Sequence, residues 1–204
     1  MVWTILLAVA IAYLLGSIPS AYIVGRLKKG RDIRRMGGGN PGAFNVFREV
    51  GPGAGIAVLF TDMAKGAGAV LIAQAMGLPQ EVKLLAGLVA VIGHDWSPFL
   101  QFKGGKGLAT TLGVLSALVP REIAIILGIV AIPIFITRNL TLSVAIGLVF
   151  LPLVVWQFGG SGMLIGYSAA LPALCGIRHI PTAREAIAAS HSKRDFIFDR
   201  WRNR

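Results

Sequence analysis

Residues 53–77, GAGIAVLFTDMAKGAGAVLIAQAMG, form an apolar run interrupted only by Asp62 and Lys65. A hydrocarbon core about 30 Å thick is crossed by about 20 helical residues, so the run is long enough to span a membrane. Asp62 and Lys65 stand three apart, on one face of such a helix, close enough to pair. Ionisable groups inside a span are costly and are candidates for function by default. A mutually neutralising pair that fixes helix packing and a direct role in chemistry are both open.

Working outward, six further apolar stretches lie near 3–25, 82–101, 107–120, 122–137, 140–158 and 161–177. The fourth and fifth of the seven segments are separated only by Pro120-Arg121-Glu122, and merging them would leave six. Charge asymmetry favours seven, because Lys and Arg collect on the cytoplasmic side. With the N-terminus outside, the inner connections hold Arg26, Lys28, Lys29, Arg31, Arg34, Arg35, Arg48, Lys103, Lys106 and Arg138, and the outer ones only Lys83 and Arg121. The expected fold is therefore all-α: a polytopic membrane protein of about seven transmembrane helices with a cytoplasmic C-terminus. The first segment has no basic residue before it and a basic cluster after it, which predicts an uncleaved helix rather than a signal peptide. One integral-membrane domain is expected over 1–204, with cytoplasmic loops near 26–51 and 93–110 and a cytoplasmic tail from 178.

Composition agrees. The 204 residues are 55% hydrophobic and only 14% charged, against roughly 25% charged in soluble domains, and the mean hydropathy is +0.72. The net charge of +11 falls in the gaps between apolar segments instead of forming the basic stripe of a DNA-binding domain. That argues against nucleic acid and for membrane lipids and anionic substrates. Cys175 has no partner cysteine, which excludes a disulfide framework. His94, His179 and His191 lack the i, i+4 spacing of a zinc helix, so no metal and no cofactor are expected. A monomer is compatible with the sequence, which carries no signal for oligomeric state.

Two loops combine glycine with cations: Gly37-Gly38-Gly39-Asn40-Pro41-Gly42 and Phe102-Lys103-Gly104-Gly105-Lys106-Gly107. Glycine lets backbone N–H groups approach a ligand, and Lys or Arg supplies countercharge, the requirements of a phosphate site. The first loop formally matches G-x-G-x-x-G, but a basic stretch precedes it and Pro41 interrupts it, unlike the strand and helix of a dinucleotide fold. The second lacks the first glycine of a P-loop, with Leu100 in its place, and has Gly107 where a magnesium-binding hydroxyl is needed. His94 and Asp95 close the third apolar segment beside the second loop, where His94 is either structural or a phosphate neighbour. The segment 192–204 interleaves Phe196, Ile197, Phe198 and Trp201 with five Lys and Arg, the composition of an interfacial segment. A frayed basic tail is the other reading. Asn139-Leu140-Thr141 is a formal glycosylation sequon on the expected cytoplasmic side and is discounted.

Taken in order, these motifs resemble those of the bacterial acyl-phosphate-dependent glycerol-3-phosphate acyltransferases, small polytopic membrane enzymes of phospholipid synthesis, over nearly the whole chain. The first family motif appears as Asp32-Ile33-Arg34, Gly37 to Gly42, Asn45 and Arg48. The second appears as Gly93-His94, Phe99-Leu100, Phe102, Gly104 to Gly107 and Ala109-Thr110, and Asp62 with Lys65-Gly66 matches a feature of the second helix. The third is carried by His179 and Lys193. The chain departs from the pattern at Gly38 (usually Ser), Phe44 (usually Thr), Thr182 (Asn), Ala189 (Gly) and His191 (Glu).

The resemblance implies transfer of an acyl group from acyl phosphate to the 1-hydroxyl of glycerol 3-phosphate, at the cytoplasmic face of a bacterial inner membrane. It implies Gly37, Gly38, Gly39 and Asn40 around one phosphate with Arg48 as countercharge, and Gly104, Gly105 and Lys106 around another. Asn45, His94, Thr182 and Lys193 complete the expected binding set. His179 orients the attacking hydroxyl or takes its proton, a task a substrate phosphate oxygen could also perform. A paralogue using another acceptor, a non-catalytic subunit, and a transporter of an anionic metabolite are the alternatives. Against the transporter, the polar residues gather mostly at one membrane face and no inverted repeat is visible.

Overall fold

The computed structural model describes residues 1–188. Among them are nine α-helices and no strand. Two compact units are formed, Met1–Leu118 and a second beginning at Val119.

In the first unit, α1 (Val2–Ser17) and α2 (Ser20–Lys29) divide the apolar stretch expected to be one continuous segment. The division falls at Pro19, which has no N–H to donate and pushes the preceding residue out of the helical region. Ile18 accordingly adopts φ −54° and ψ 120°. A broken helix leaves carbonyls without intrahelical partners, and these must be satisfied where water is scarce. The Ser97 hydroxyl donates to Ser17 O at 2.6 Å, and the Lys65 ammonium donates to Ile18 O at 2.5 Å.

Lys65 lies near the middle of α4 (Pro52–Ala75), the helix formed by the 53–77 run. It is 3% exposed and Asp62 only 1%, with Nζ and Oδ1 2.6 Å apart. The expected pair thus forms, and it is fully enclosed. The Ser20 hydroxyl, at the start of α2, donates to Asp62 Oδ1 and lies 3.3 Å from Lys65 Nζ. The three ammonium donors therefore have three acceptors, and the break, α4 and α2 are fastened at one point.

Close backbone approach fixes the neighbouring helices. A β-carbon at Gly66 would overlap the Thr110 carbonyl of α6 (Leu108–Leu118), and one at Gly113 of α6 would overlap the Met63 carbonyl of α4. Small residues at such crossings are how helices pack in lipid. α5 (Gln80–Asp95) packs on α1 in the same manner, with Gly16 against Ala90 and Gly93 against the Tyr13 carbonyl. α5 ends at Asp95, six residues before the expected boundary, because Pro98 enforces an extended Ser97 (φ −67°, ψ 124°) and opens a 3-10 turn at Pro98–Leu100.

In the second unit, α7 (Pro120–Thr137), α8 (Leu140–Gln157) and α9 (Gly162–Ala188) follow in order. Asn139 is 2% exposed and its Oδ1 accepts the Leu142 N–H at 3.1 Å, capping α8. The sequon is thus a buried helix cap. Arg121 stacks 3.8 Å above the Phe158 ring. α9 runs past Pro172 and Pro181 to Ala188, well beyond the expected end near 177. Stretches 2–29, 52–75, 120–137, 140–157 and 162–185 are long and apolar enough to cross a membrane, whereas α6 is short and apolar. At 1.5 Å per residue, α5 and α6 cover about 24 Å and about 17 Å.

Removing one partner of a buried ion pair leaves the other charge uncompensated, at a cost of about 3–5 kcal/mol. Lys65→Met and Asp62→Asn are each expected to lower the stability of the detergent-solubilised protein by about that much in equilibrium unfolding. The double variant, with no charge left behind, should recover part of the loss. Single variants as stable as the parent would refute the role given to the pair.

Candidate active site

The first glycine loop is shaped by side chains, and its cations are held in place. Asp32 caps the 3-10 turn Ile33–Arg35 by accepting the Arg34 N–H at 3.0 Å. The Arg34 guanidinium grips both oxygens of the same carboxylate, with Nη2 2.8 Å from Oδ2. The hydrogen bonds from Arg34 hold the Asp32 carboxyl below its ordinary pKa, and the carboxylate in turn raises that of Arg34. A lowered carboxyl pKa means that this bridge stabilises the fold fully above the ordinary carboxylate range and is lost only as pH falls through the lowered value. Arg34 and Arg26 both lie over the Tyr22 ring, 5.6 and 5.3 Å from its centre.

Asn45, expected to contact substrate, is buried at the start of α3 (Ala43–Glu49) and built into the loop. Its Nδ2 donates to Ile33 O at 3.1 Å and Met36 O at 3.0 Å, and its Oδ1 accepts the Gly38 N–H at 3.1 Å. Gly37 and Gly39 take φ of +51° and +70°, a region that glycine enters without strain. Gly39 N–H donates to Met36 O at 3.0 Å. Two of the three glycine N–H groups expected to cradle a phosphate are thus engaged within the loop. Gly38 differs from its neighbours: a β-carbon there would meet nothing within 4 Å. Asn40 is half-buried and Arg48 exposed, with the Arg48 guanidinium over the Phe44 ring at 5.9 Å.

The second loop folds back on the end of α5. Gly104 N–H donates to Asp95 O and Gly105 N–H to His94 O, both at 3.1 Å. These glycines cap a helix C-terminus, and Lys106 beside them is half-buried. His94 is buried, with Nδ1 3.8 Å from Asp62 Oδ1, beyond a hydrogen bond but within charge range.

The two loops are joined. Arg34 Nη1 donates to Leu100 O at 3.0 Å, linking the first motif to the turn that opens the second. A small cleft lies at this junction, lined by Ser20 and Tyr22 from α2, Pro41 from the first loop, and His94, Ser97 and Gly105 from around the second, with Ile18, Pro19 and Leu100 between them. Three chain segments far apart in sequence therefore converge within the first unit. Ser20, Ser97 and the bridging use of Arg34 were not foreseen. Pro19 was the available signal, since a proline within an apolar segment demands outside partners for the carbonyls it frees.

His179 and Thr182 belong to the second unit, three residues apart on α9. His179 Nδ1 lies 2.8 Å from the Cys175 carbonyl. A carbonyl only accepts, so Nδ1 is the donor in this contact. Lys193, and with it the aromatic and basic segment 192–204, lies outside the described residues.

A family model described as glycerol-3-phosphate acyltransferase matches residues 6–189. The chain is 43% identical to glycerol-3-phosphate acyltransferase 1 of Dehalococcoides mccartyi, over 96% of this chain and 97% of that protein. It is 40% identical to glycerol-3-phosphate acyltransferase 2 of Moorella thermoacetica, over 92% and 96% respectively. Among solved structures it is similar to PlsY (YgiH), an integral membrane glycerol 3-phosphate acyltransferase. The glycerol 3-phosphate form of PlsY superposes with a TM-score of 0.83 at 33% identity, covering 90% of this chain and 92% of that one. The lysophosphatidic acid form gives 0.80 at 31% identity with the same coverage.

Asn45→Ala removes three hydrogen bonds at a buried site, each worth about 1 kcal/mol net. Limited proteolysis should cut the variant faster than the parent within 33–45, with cleavage elsewhere unchanged. Equal resistance would show that Asn45 does not hold the loop.

Proposed function

The chain belongs to the glycerol-3-phosphate acyltransferase family, and from that premise we propose that it transfers an acyl group from acyl phosphate to the 1-hydroxyl of glycerol 3-phosphate, releasing lysophosphatidate and inorganic phosphate. Membership makes it an acyltransferase of phospholipid synthesis, and its apolar helices make it a multi-pass integral membrane protein. The acyl phosphate donor is our reading, as are the seven-span topology with the N-terminus outside, the single domain over 1–204, the monomer and the inner-membrane location with a cytoplasmic site.

The observation that carries the reading is the junction of the two motif loops by Arg34 and Leu100. It brings two loops bearing cations next to each other. An acyl phosphate is a mixed anhydride with a good leaving group, so a covalent enzyme intermediate is unnecessary. The glycerol 3-phosphate oxygen bonds to the acyl carbon, the bond from that carbon to the phosphate oxygen breaks, and phosphate leaves with the electron pair. Catalysis then consists of holding two anions together and balancing charge as it shifts. Lys106 holds the phosphate of glycerol 3-phosphate, and Arg48 receives the donor phosphate beside the Gly37 to Asn40 turn, whose Gly38 and Gly39 N–H groups serve the loop itself. The hydroxyl proton passes to a phosphate oxygen of a substrate, and the third motif, His179, Thr182 and Lys193, keeps the role that the family resemblance implies for it. The acyl chain lies against apolar helix walls.

Purified protein given palmitoyl phosphate and radiolabelled glycerol 3-phosphate should form labelled lysophosphatidate and release phosphate in equal amounts. No product under conditions in which a working family member turns over would defeat the reading, and counterflow of the labelled ester in proteoliposomes would favour transport. Lys106→Ala should raise KM for glycerol 3-phosphate about tenfold or more, the loss of one charged contact. Gly38→Ser places a hydroxyl in open space and should raise kcat/KM about fivefold, as one hydrogen bond of about 1 kcal/mol would. If both variants match the parent, the assignment of the loops is wrong.

A further inference from the structure

Glycine at position 105 is required by a side chain and not by the turn. A β-carbon there would overlap His94 Nε2 and stand 3.0 Å from both Cδ2 and Cε1 of the same ring. Gly105 is absent from the positive-φ residues, so its φ does not itself demand glycine. The imidazole of His94 therefore occupies the space that any larger residue would need. His94 also holds Gly105 by its main chain, since its carbonyl accepts the Gly105 N–H at 3.1 Å. On the opposite side of the ring, Nδ1 faces the Asp62 carboxylate at 3.8 Å. That carboxylate is itself fixed by Lys65 and Ser20.

The ring is thus wedged between an anchored charge on α4 and the backbone immediately before Lys106. Adjacent Cα atoms are about 3.8 Å apart, so a shift of Gly105 moves the chain that leads into Lys106. Misplacement of a binding group by about 1 Å can cost about a hundredfold in rate.

We propose that His94 is a positioning residue whose imidazole seats Gly105 and so determines where Lys106 presents its ammonium to glycerol 3-phosphate. This replaces the direct phosphate contact that the sequence suggested for His94, and it rests on Lys106 being the anion ligand. The chemistry leaves a clear signature. Gly105→Ala forces the ring and the loop apart, whereas His94→Ala vacates the space a methyl group at 105 would enter. The two substitutions must be non-additive, and the second must partly rescue the first.

The test is a double-mutant cycle in the purified full-length enzyme, with KM for glycerol 3-phosphate and kcat measured separately and palmitoyl phosphate as donor. Gly105→Ala should raise KM about tenfold with a smaller change in kcat, and His94→Ala about threefold to tenfold. The double variant should show a KM below that of Gly105→Ala alone, at least about threefold under the product of the single effects, as expected for residues in contact. Multiplicative effects within about twofold would overturn the proposal. So would coupling confined to thermal stability with KM unchanged in every variant, because that is a structural role only. Should Gly105→Ala fail to accumulate as folded protein, recovery of monodisperse protein in the double variant supports the proposal and its failure to recover counts against it. His94→Asn, whose amide stops short of the Nε2 position, replaces His94→Ala in the cycle if the latter does not fold. Lys106→Ala separates the two claims: an unchanged KM there defeats the assignment of Lys106, whereas a raised KM with an additive cycle defeats only the role of His94.

Discussion

A lysine ammonium enclosed in a membrane protein needs an acceptor for each of its protons, and Lys65 finds all three at one place: Asp62 Oδ1, Ile18 O and Ser20 Oγ. Without Lys65, the buried Asp62 carboxylate would keep the Ser20 hydroxyl but lose its ammonium partner, and Ile18 O would keep only the Ser20 N–H, at a cost of several kcal/mol. With it, the break between α1 and α2 becomes a fixed point. The rest of the first unit is registered to that point. Ser97 reaches the neighbouring carbonyl of the break, which places the turn after α5, and Arg34 fastens the first loop to that turn. Electrostatics buried in the helices thus determines geometry at their ends.

The loops work differently from the anion nests that their glycine content suggests. Five loop glycines spend their N–H groups on the protein itself: Gly38 on Asn45, Gly39 on Met36, Gly42 on Asn40, and Gly104 and Gly105 on the end of α5. Glycine serves here to let backbones and rings approach. In the reaction we propose, the countercharge for phosphate comes from side chains, and a rigid scaffold with a few cations holds two anions at a set separation.

The helical membrane architecture was legible in hydropathy alone, and the Asp62–Lys65 pair in its i, i+3 spacing. The break at Pro19 was not, because averaging over an apolar window conceals one residue whose effect lies in a missing N–H. The early end of α5 had the same origin in Pro98. α9 showed the converse, since Pro172 and Pro181 are accommodated within a continuous helix, as membrane helices permit. Of the candidate site, the two loops and their cations could be found from composition. Which side chain joins the loops and what anchors the break depend on contacts 42 to 80 residues apart, Arg34 with Leu100, Ser20 with Asp62 and Ser17 with Ser97, while the capping by Gly104 and Gly105 and the exclusion of a β-carbon at 105 depend on how the turn folds back on His94 and Asp95. No local pattern reports these.

The central claim is that one buried ion pair holds both motif loops in register. Hydrogen–deuterium exchange of the parent and of Asp62→Asn in detergent tests it most directly, read at the amides of Gly38 and Gly39 in the first loop and of Gly104 and Gly105 in the second. The account predicts that exchange at all four rises together in the variant while the amides of α8, in the other unit, are unaffected. Unchanged protection at these four amides, or a rise in one loop without the other, would contradict it.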